Sequence, residues 1–224
     1  MNEIEYKLYI DDVIRRVENA RLKVSDHHIV KIIAVSKYST SSEIEKLYKI
    51  GQRAFGENKV QDLEKKAQEL DELPLEWHFI GNLQKNKINK LLTINPALFQ
   101  GLDSLELAQE LQKKLAAKEM KLDSLLQINS AKEESKHGVM PEDAIQIYET
   151  IQKECPNINL KGLMSIGAHS DDKNVVKESF LTTHKLFTQL ENATICSMGM
   201  SGDFELAIEC GSNMVRLGSI MFNK

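Results

Sequence analysis

The sequence predicts one α/β domain in which eight parallel strands close into a barrel, the (β/α)8 or TIM-type architecture. Short apolar runs alternate with longer charged stretches that favour helix, which implies parallel strands joined by crossovers. Eight such runs can be identified, the strand number of the closed barrel. No G-x-G-x-x-G motif follows the first run, which disfavours the open doubly wound sheet, the alternative architecture.

The expected elements follow from hydrophobic periodicity. An extra N-terminal helix is expected at 2–24, where apolar residues recur at helical spacing: Ile10, Val13, Ile14, Val17 and Val24. The first strand is expected at 31–37, in the short β-branched run KIIAVSK. Further strands are expected at 53–57, 76–81, 98–102, 124–129, 160–167, 194–199 and 214–218. Further helices are expected at 41–50, 58–70, 84–92, 104–119, 140–154, 173–190 and 203–210.

Composition and charge describe an ordinary globular chain of 224 residues. Its 33 acidic and 29 basic residues give a formal net charge of −4, which disfavours nucleic acid as a partner. Neither a signal peptide nor an apolar run of the roughly 20 residues needed for a membrane span is visible. A soluble cytoplasmic protein without a membrane partner is therefore expected. No linker is visible, so a single domain over residues 1–224 is expected.

Cysteine and histidine spacing favours neither disulfides nor metal binding. The cysteines are three in number and widely separated, at Cys155, Cys196 and Cys210, and are expected to be free thiols. The histidines show no metal-ligand spacing, so no metal site is expected. The lack of an obvious exposed apolar stripe favours a monomer.

Lys37 and Arg216 are the charged residues expected inside the barrel. Lys37 shares the strand face of Ile33 and Val35, so its amine is expected at the mouth of an apolar interior, where barrels carry active sites. A lysine partly removed from water is a better nucleophile, as a Schiff base with an aldehyde requires. Arg216 shares a face with Met214 and needs an acceptor, either a ligand's ring nitrogen or an internal acid. The alternative for Lys37 is a lysine that merely ends a strand and reaches water.

Two turns rich in serine and glycine follow the seventh and eighth strands, where barrels of this type commonly bind phosphate. The first is SMGMSGDF (197–204), which leads into a helix whose first N–H groups suit a phosphate. The second is Gly218-Ser219. Serine and glycine also form ordinary turns, so the prediction depends on both turns together. His78, alone in an apolar strand, is more often a satisfied core residue than a ligand.

These positions together resemble the pyridoxal phosphate homeostasis protein family, whose fold is similar to the N-terminal barrel of alanine racemases, the type III fold of pyridoxal phosphate (PLP) proteins. The resemblance covers most of the chain and is specific as a set of stretches. Those stretches are AVSK (34–37), FGEN-V-Q (55–61), WHFIG-LQ-NK (77–87), ESK-G (134–138), GLM-IG (162–167) and SMGMS-D…AI…GS-MVR-GS (197–219). The chain departs from the family in YSTSSEI after Lys37, where proline is common, and in Asn223, where glycine is usual.

The resemblance implies that PLP is the cofactor and that it forms a Schiff base with Lys37. It implies that Arg216 hydrogen-bonds the pyridine nitrogen. A phosphate cradle is implied at Ser197, Ser201, Gly218 and Ser219. Contacts to the ring and its hydroxyl are implied at Asn58, Met164 and Ser165, and His78 and Asn82 match the motif without a defined role. Apart from the resemblance, Lys136, in ESKHG, is a candidate for a second contact with incoming cofactor, and the sequence leaves open whether it makes one.

The resemblance implies cofactor binding in intracellular PLP homeostasis, with little or no catalysis. Arginine stays protonated and only donates, so the ring nitrogen stays neutral and the ring is a weak electron sink. Racemases of similar fold also bring a catalytic tyrosine from a C-terminal domain of a partner subunit, and no such domain is expected here. Two alternatives remain. One is a stand-alone amino-acid racemase of low activity, and the other is a module that delivers PLP to apo PLP-dependent enzymes through basic residues such as Lys85, Lys87 and Lys90.

Overall fold

The computed structural model describes residues 3–133 and 135–222, and eight parallel strands within them close into one barrel in sequence order. The first strand pairs with both the second and the eighth, and Ile33 lies opposite Arg216 across the closing pair. The predicted (β/α)8 barrel is confirmed. The strands are β1 (Lys31–Val35), β2 (Ala54–Glu57), β3 (Glu76–Phe79), β4 (Leu98–Leu102), β5 (Leu122–Ile128), β6 (Ile158–Ser165), β7 (Ile195–Ser197) and β8 (Met214–Leu217).

Helices surround the barrel, and each helix expected from the sequence is present. The bounds differ from the expected ones by at most four residues, the ordinary uncertainty of helix ends. The helices are α1 (Glu3–Leu22), α2 (Ser41–Lys49), α3 (Val60–Glu69), α4 (Ile88–Ile94, after a 3-10 turn at Lys85–Lys87), α5 (Leu105–Ala117), α6 (Ala144–Glu154), α7 (Lys173–Phe187), α8 (Phe204–Glu209) and α9 (Ser219–Phe222). The short α9 has no counterpart among the expected helices.

Helix α1 packs against the barrel next to α8 and α9. It buries Ile10, Val13 and Val17, and the Tyr6 hydroxyl donates to the Met221 carbonyl at 2.7 Å. The buried face of α1 is narrower than the sequence predicted, because Ile14 and Val24, which were expected on it, are exposed. Ile14 lies one residue, or about 100° around the helix, beyond Val13, and Val24 follows the end of α1.

Side-chain alternation divides each strand between the barrel interior and the helical shell. The apolar interior is a small cluster formed by Ile33, Ala54, Leu98, Leu125, Met164 and Met214. Larger apolar clusters lie between the strands and the surrounding helices. On the inward faces, polar and charged side chains such as Gln100 and Arg216 lie further along the strands, towards their C-terminal ends. The barrel therefore concentrates chemically useful groups at the end where such folds carry their sites.

The cysteines and candidate metal ligands give no sign of a metal centre. Cys155, Cys196 and Cys210 are buried free thiols, as expected. Residues 3–133 and 135–222 contain no group of three or more His, Cys, Asp or Glu side chains arranged to hold a metal ion. Among the same residues, no helix combines the length and the apolar content that crossing a bilayer requires.

Candidate functional site

A cavity of about 510 Å3 opens at the C-terminal ends of the strands. It brings together all the site residues expected from the sequence except Ser165 and Ser197. Those that line it are Lys37, Asn58, Met164, Ser201, Arg216, Gly218 and Ser219. Sequence reasoning missed the remaining lining residues, which are Val35, Tyr38, Ser39, Ile80, Gly81, Ile166, Met200 and Phe222. Most of these are apolar or small, so the sequence held no chemical signal for them beyond proximity to a motif.

Lys37 lies in the turn after β1 and is exposed, which corrects two expectations. The strand ends at Val35, whereas it was expected to reach Lys37, and the side chain is not removed from water. The backbone turns early because Ser39 N–H bonds the Ser36 carbonyl at 2.8 Å. The Lys37 amine lies 5.0 Å from the centre of the Tyr38 ring, a cation–π contact. It thus reaches the cavity from its rim.

A buried ion pair anchors the residue that precedes Lys37. Glu57 Oε1 accepts from Lys66 Nζ and from Ser36 Oγ, each at 2.6 Å. Lys66 Nζ also donates to the Ser36 carbonyl at 2.7 Å. This arrangement, which we call the Glu57–Lys66–Ser36 clamp, joins the residue after β1 to β2 and α3, just before the turn that carries Lys37. Sequence reasoning missed it.

Asn58 is held at the cavity wall by a close backbone approach. A Cβ atom built on Gly81 would lie 2.1 Å from the Asn58 carbonyl oxygen, so only glycine fits at this position. The glycine of the WHFIG stretch is therefore explained by packing. It lets the loops after β2 and β3 meet, with Asn58 half-buried beside the cavity.

Arg216 is buried beneath the cavity and is held by neutral acceptors. Its Nη1 donates to the carbonyl and the hydroxyl of Ser197, at 2.9 and 2.7 Å, and its Nη2 donates to the Ser165 carbonyl at 2.8 Å. The hydrogen bonds that hold it therefore come from a hydroxyl and two carbonyls, and not from a carboxylate. Burial lowers the Arg216 pKa to about 10, with attraction to Asp203 opposing, so the guanidinium stays charged at neutral pH. A guanidinium has five N–H donors, and those not spent on Ser197 and Ser165 remain for the cavity.

Ser165 and Ser197 lie behind Arg216 instead of at the cavity wall. Both are completely buried. The Ser165 hydroxyl accepts from Thr183 at 2.9 Å, and the Ser197 hydroxyl donates to Gln100 at 2.8 Å. They were expected to contact a cofactor, but the structure instead gives both serines a supporting contact to the guanidinium. For Ser165, strand parity determines this, because Ser165 faces the helices while its neighbour Met164 faces the interior. Ser197 faces the interior, where it lies between Arg216 and Gln100.

The two serine- and glycine-rich turns meet and form one wall of the cavity. The Gly218 N–H donates to the Ser201 hydroxyl at 3.1 Å and so links the turns after β7 and β8. The first turn is closed by Asp203, whose Oδ1 accepts from the Met200 N–H at 2.6 Å. Ser219 begins α9, in which the N–H groups of Met221 and Phe222 bond the Gly218 carbonyl. Both turns therefore lie after the strands where they were expected, and both line the same cavity.

His78 is buried and hydrogen-bonded, so its expected role as a satisfied core residue is confirmed. Its Nδ1 lies 2.9 Å from Gln100 Nε2, and its Nε2 lies 2.7 Å from Glu76 Oε1. Glu76 also pairs with Lys31 at the opposite end of the barrel from the cavity. Asn82, the other motif residue without a defined role, lines a separate polar groove beside Asn58.

Glu76 should make the unfolding free energy fall in acid. Its hydrogen bonds to His78 and Lys31 lower the Glu76 pKa from an ordinary 4.5 to about 2. A carboxylate with a depressed pKa stabilises the fold above pH about 4.5, and that contribution is lost as the pH falls towards about 2. The loss should be on the order of 1 kcal/mol, because water screens this partly exposed group. Urea unfolding at pH 3 and pH 6 should show it in the wild type, and Glu76→Gln should reduce it. An identical difference between pH 3 and pH 6 in both proteins would contradict this.

Comparison with known families defines the class of fold. The family model described as "Alanine racemase, N-terminal domain" matches residues 10–224. An alanine racemase of Clostridium difficile superposes with a TM-score of 0.73 at 18% identity, over 94% of this chain and 56% of the racemase chain, which shows the fold alone. PipY of Synechococcus elongatus, solved with PLP bound, superposes with a TM-score of 0.80 at 29% identity, over 93% of this chain and 98% of PipY. The barrel is of the alanine racemase N-terminal class.

Relatives with higher sequence identity show to which family within this class the chain belongs. A Helicobacter pylori protein named pyridoxal phosphate homeostasis protein is 54% identical over 221 residues, which are 99% of this chain and 100% of the relative. A Homo sapiens protein of the same name is 38% identical, over 87% of this chain and 76% of the relative. The chain therefore belongs to the pyridoxal phosphate homeostasis protein family, and the resemblance inferred from its motifs is confirmed.

Proposed function

We propose that this protein binds PLP as a Schiff base on Lys37 and serves intracellular PLP homeostasis. One observation carries the proposal. The same cavity is lined by a primary amine, by a buried guanidinium with unspent donors, and by two linked serine-glycine turns. These groups match the aldehyde, the ring nitrogen and the phosphate of a single ligand. The cavity volume of about 510 Å3 lies within the usual range for small-ligand sites.

Each lining residue has a distinct task in this proposal. The Lys37 amine condenses with the aldehyde carbon, and one water leaves. Arg216 donates an N–H to the ring nitrogen. The Ser201 hydroxyl, oriented by the Gly218 N–H that donates to it, and the hydroxyl and N–H of Ser219 offer donors to the phosphate. The remaining contacts are Asn58 at the ring hydroxyl and Met164 against the ring.

Binding without useful turnover is the second part of the proposal. When bound, PLP supplies an electron sink, and its depth depends on the group at the ring nitrogen. Arg216 stays charged and can only donate, so it leaves that nitrogen without a proton. The named relatives are homeostasis proteins, which agrees with a role outside catalysis.

A low-activity amino-acid racemase is the alternative function. It needs a second acid or base beside the ring, and Tyr38 is the tyrosine that lines the cavity. Tyr38 adjoins Lys37 in the chain and is highly exposed. If this alternative held, purified protein would racemise alanine, and Tyr38→Phe would lose that activity.

The wild-type protein mixed with PLP should develop an absorption band near about 420 nm. Borohydride should remove the band and leave a pyridoxyl group on Lys37, which peptide mass spectrometry can locate. The same protein should leave alanine, lysine and ornithine unchanged over hours. A spectrum of free aldehyde alone would refute the binding proposal, and rapid turnover of any of these amino acids would refute the second part.

We also propose that the protein is a cytoplasmic monomer that can pass PLP to apo PLP-dependent enzymes. The basic run that includes Lys85 and Lys90 is a weak candidate for their docking. Lys85 pairs with Glu106 and Lys90 pairs with Glu64, each at 2.5 Å, as on a solvated helix surface. Mass measurement in solution tests the monomer, and transfer to an apo-enzyme faster than free diffusion of PLP tests delivery.

A further inference from the structure

A row of polar side chains crosses the barrel interior beneath the cavity. It runs from Arg216 through Ser197, Gln100 and His78 to Glu76, with contacts of 2.7, 2.8, 2.9 and 2.7 Å between the hydrogen-bonding atoms. Four of the five are buried, and apolar side chains at those positions would avoid the cost of burying polar groups. The row thus connects the cofactor end of the barrel to its opposite end. A buried polar row with this cost needs a compensating role.

The two ends of this row determine the direction of every hydrogen bond in it. A guanidinium only donates, so the Ser197 hydroxyl accepts from Arg216 and turns its own hydrogen to Gln100 Oε1. The Gln100 amide nitrogen then donates to His78 Nδ1, and His78 carries its proton on Nε2. That proton is donated to the Glu76 carboxylate, which only accepts. The guanidinium at one end of the row and the carboxylate at the other therefore require the same direction for every hydrogen bond between them.

His78 maintains this order because it is neutral. Burial lowers the His78 pKa more than its hydrogen bond to Glu76 raises it. A second proton would occupy Nδ1 and oblige the Gln100 amide to reverse. Ser197 would then face an amide donor, and its hydroxyl hydrogen would lose its acceptor. A neutral His78 with a free Nδ1 lone pair thus keeps Ser197 available to Arg216.

We propose that His78 and Gln100 are positioning residues for Arg216, acting through the Ser197 hydroxyl. The carbonyl and the hydroxyl of Ser197 both accept from Nη1 of Arg216, and the Ser165 carbonyl accepts from Nη2. The guanidinium plane is thereby fixed, and its remaining N–H groups face the cavity that Arg216 lines. Fixing this long side chain in advance removes an entropic cost from ligand binding. The inference rests on the proposed function, since it directs those N–H groups to the PLP ring nitrogen.

Two substitutions at one position separate positioning from packing. In His78→Asn, the side-chain oxygen can replace Nδ1 as the acceptor from Gln100, whereas in His78→Phe nothing can accept. Titration with PLP near about 420 nm should give a dissociation constant about tenfold higher for His78→Phe, the effect of one lost hydrogen bond. His78→Asn should stay within about threefold of the wild type. The position of the absorption maximum and the melting temperature without PLP are recorded for each protein.

The outcomes are distinguishable. Equal dissociation constants for His78→Phe and the wild type would overturn the inference. Equal weakening in the Phe and Asn variants would overturn it too, because packing alone would then explain the loss. If His78→Phe does not fold, Gln100→Leu breaks the same row and should show the same weakening, and wild-type affinity there would refute the inference. A wild type without the band would overturn the proposed function itself, and the inference with it.

Discussion

Replacing Lys37 by alanine should abolish the band near about 420 nm that the wild-type protein is expected to form with PLP. Lys37 is the one lysine among the described residues that line the cavity, so its removal takes away their amine for condensation with the aldehyde. Retention of PLP should weaken on the order of 100-fold or more, because a covalent link is lost. Weak noncovalent binding should persist through Arg216 and the serine-glycine turns. Absorption spectra and equilibrium dialysis measure the two effects separately.

The matched control is Lys37→Arg, which keeps a charge at the rim but cannot form a Schiff base. Both variants should melt within a few degrees of the wild type, since an exposed lysine loses only a cation–π contact. A band that survives in both variants would contradict the assignment. Lys136 would be the next lysine to test, because its amine is already near the site, at 2.8 Å from the Gly167 carbonyl and beside Ile166 in a neighbouring small cavity.

The barrel could be predicted because buried apolar residues recur with different periods in strands and in helices, and the sequence shows both periods. The alternating runs predicted eight strands and the helices between them, and all are present. The end of β1 was wrong by two residues, because periodicity reports burial and Ser36 is buried without being in the strand. Helix α9 was missed because a single turn of four residues has too few positions to show a helical period.

A site residue could be predicted only where the alternation of side chains along its own strand, or the residue types of its own turn, determined its position. Parity placed Lys37 and Arg216 on the inward faces of their strands; Lys37 instead lies in the turn after β1, yet the cavity contains both residues. The roles of Ser165 and Ser197 were not predictable in this way, since a hydroxyl's partner depends on a neighbouring strand. The Glu57–Lys66–Ser36 clamp was invisible for the same reason. Lys66 is one of many charged residues in an amphipathic helix, and only the packing of α3 on β2 makes it buried.

Replacing Lys66 by methionine should cost about 3–5 kcal/mol of unfolding free energy, the usual effect of removing one partner from a buried ion pair. Glu57 is completely buried, and its second oxygen already has no hydrogen-bond partner within the described part of the chain. Without Lys66, the carboxylate keeps only the Ser36 hydroxyl, and the Ser36 carbonyl loses its donor. Urea unfolding followed by circular dichroism measures the change.

Lys65→Met is the matched control, because Lys65 is the adjacent residue of the same helix. Its side chain is 73% exposed and lies 3.8 Å from Glu69, so the change should be within about 0.5 kcal/mol. The double variant Glu57→Gln with Lys66→Met should regain part of the lost stability, since no charge is then left buried alone. A cost below about 1 kcal/mol for Lys66→Met would mean that water reaches Glu57. The clamp would then not anchor the turn of Lys37.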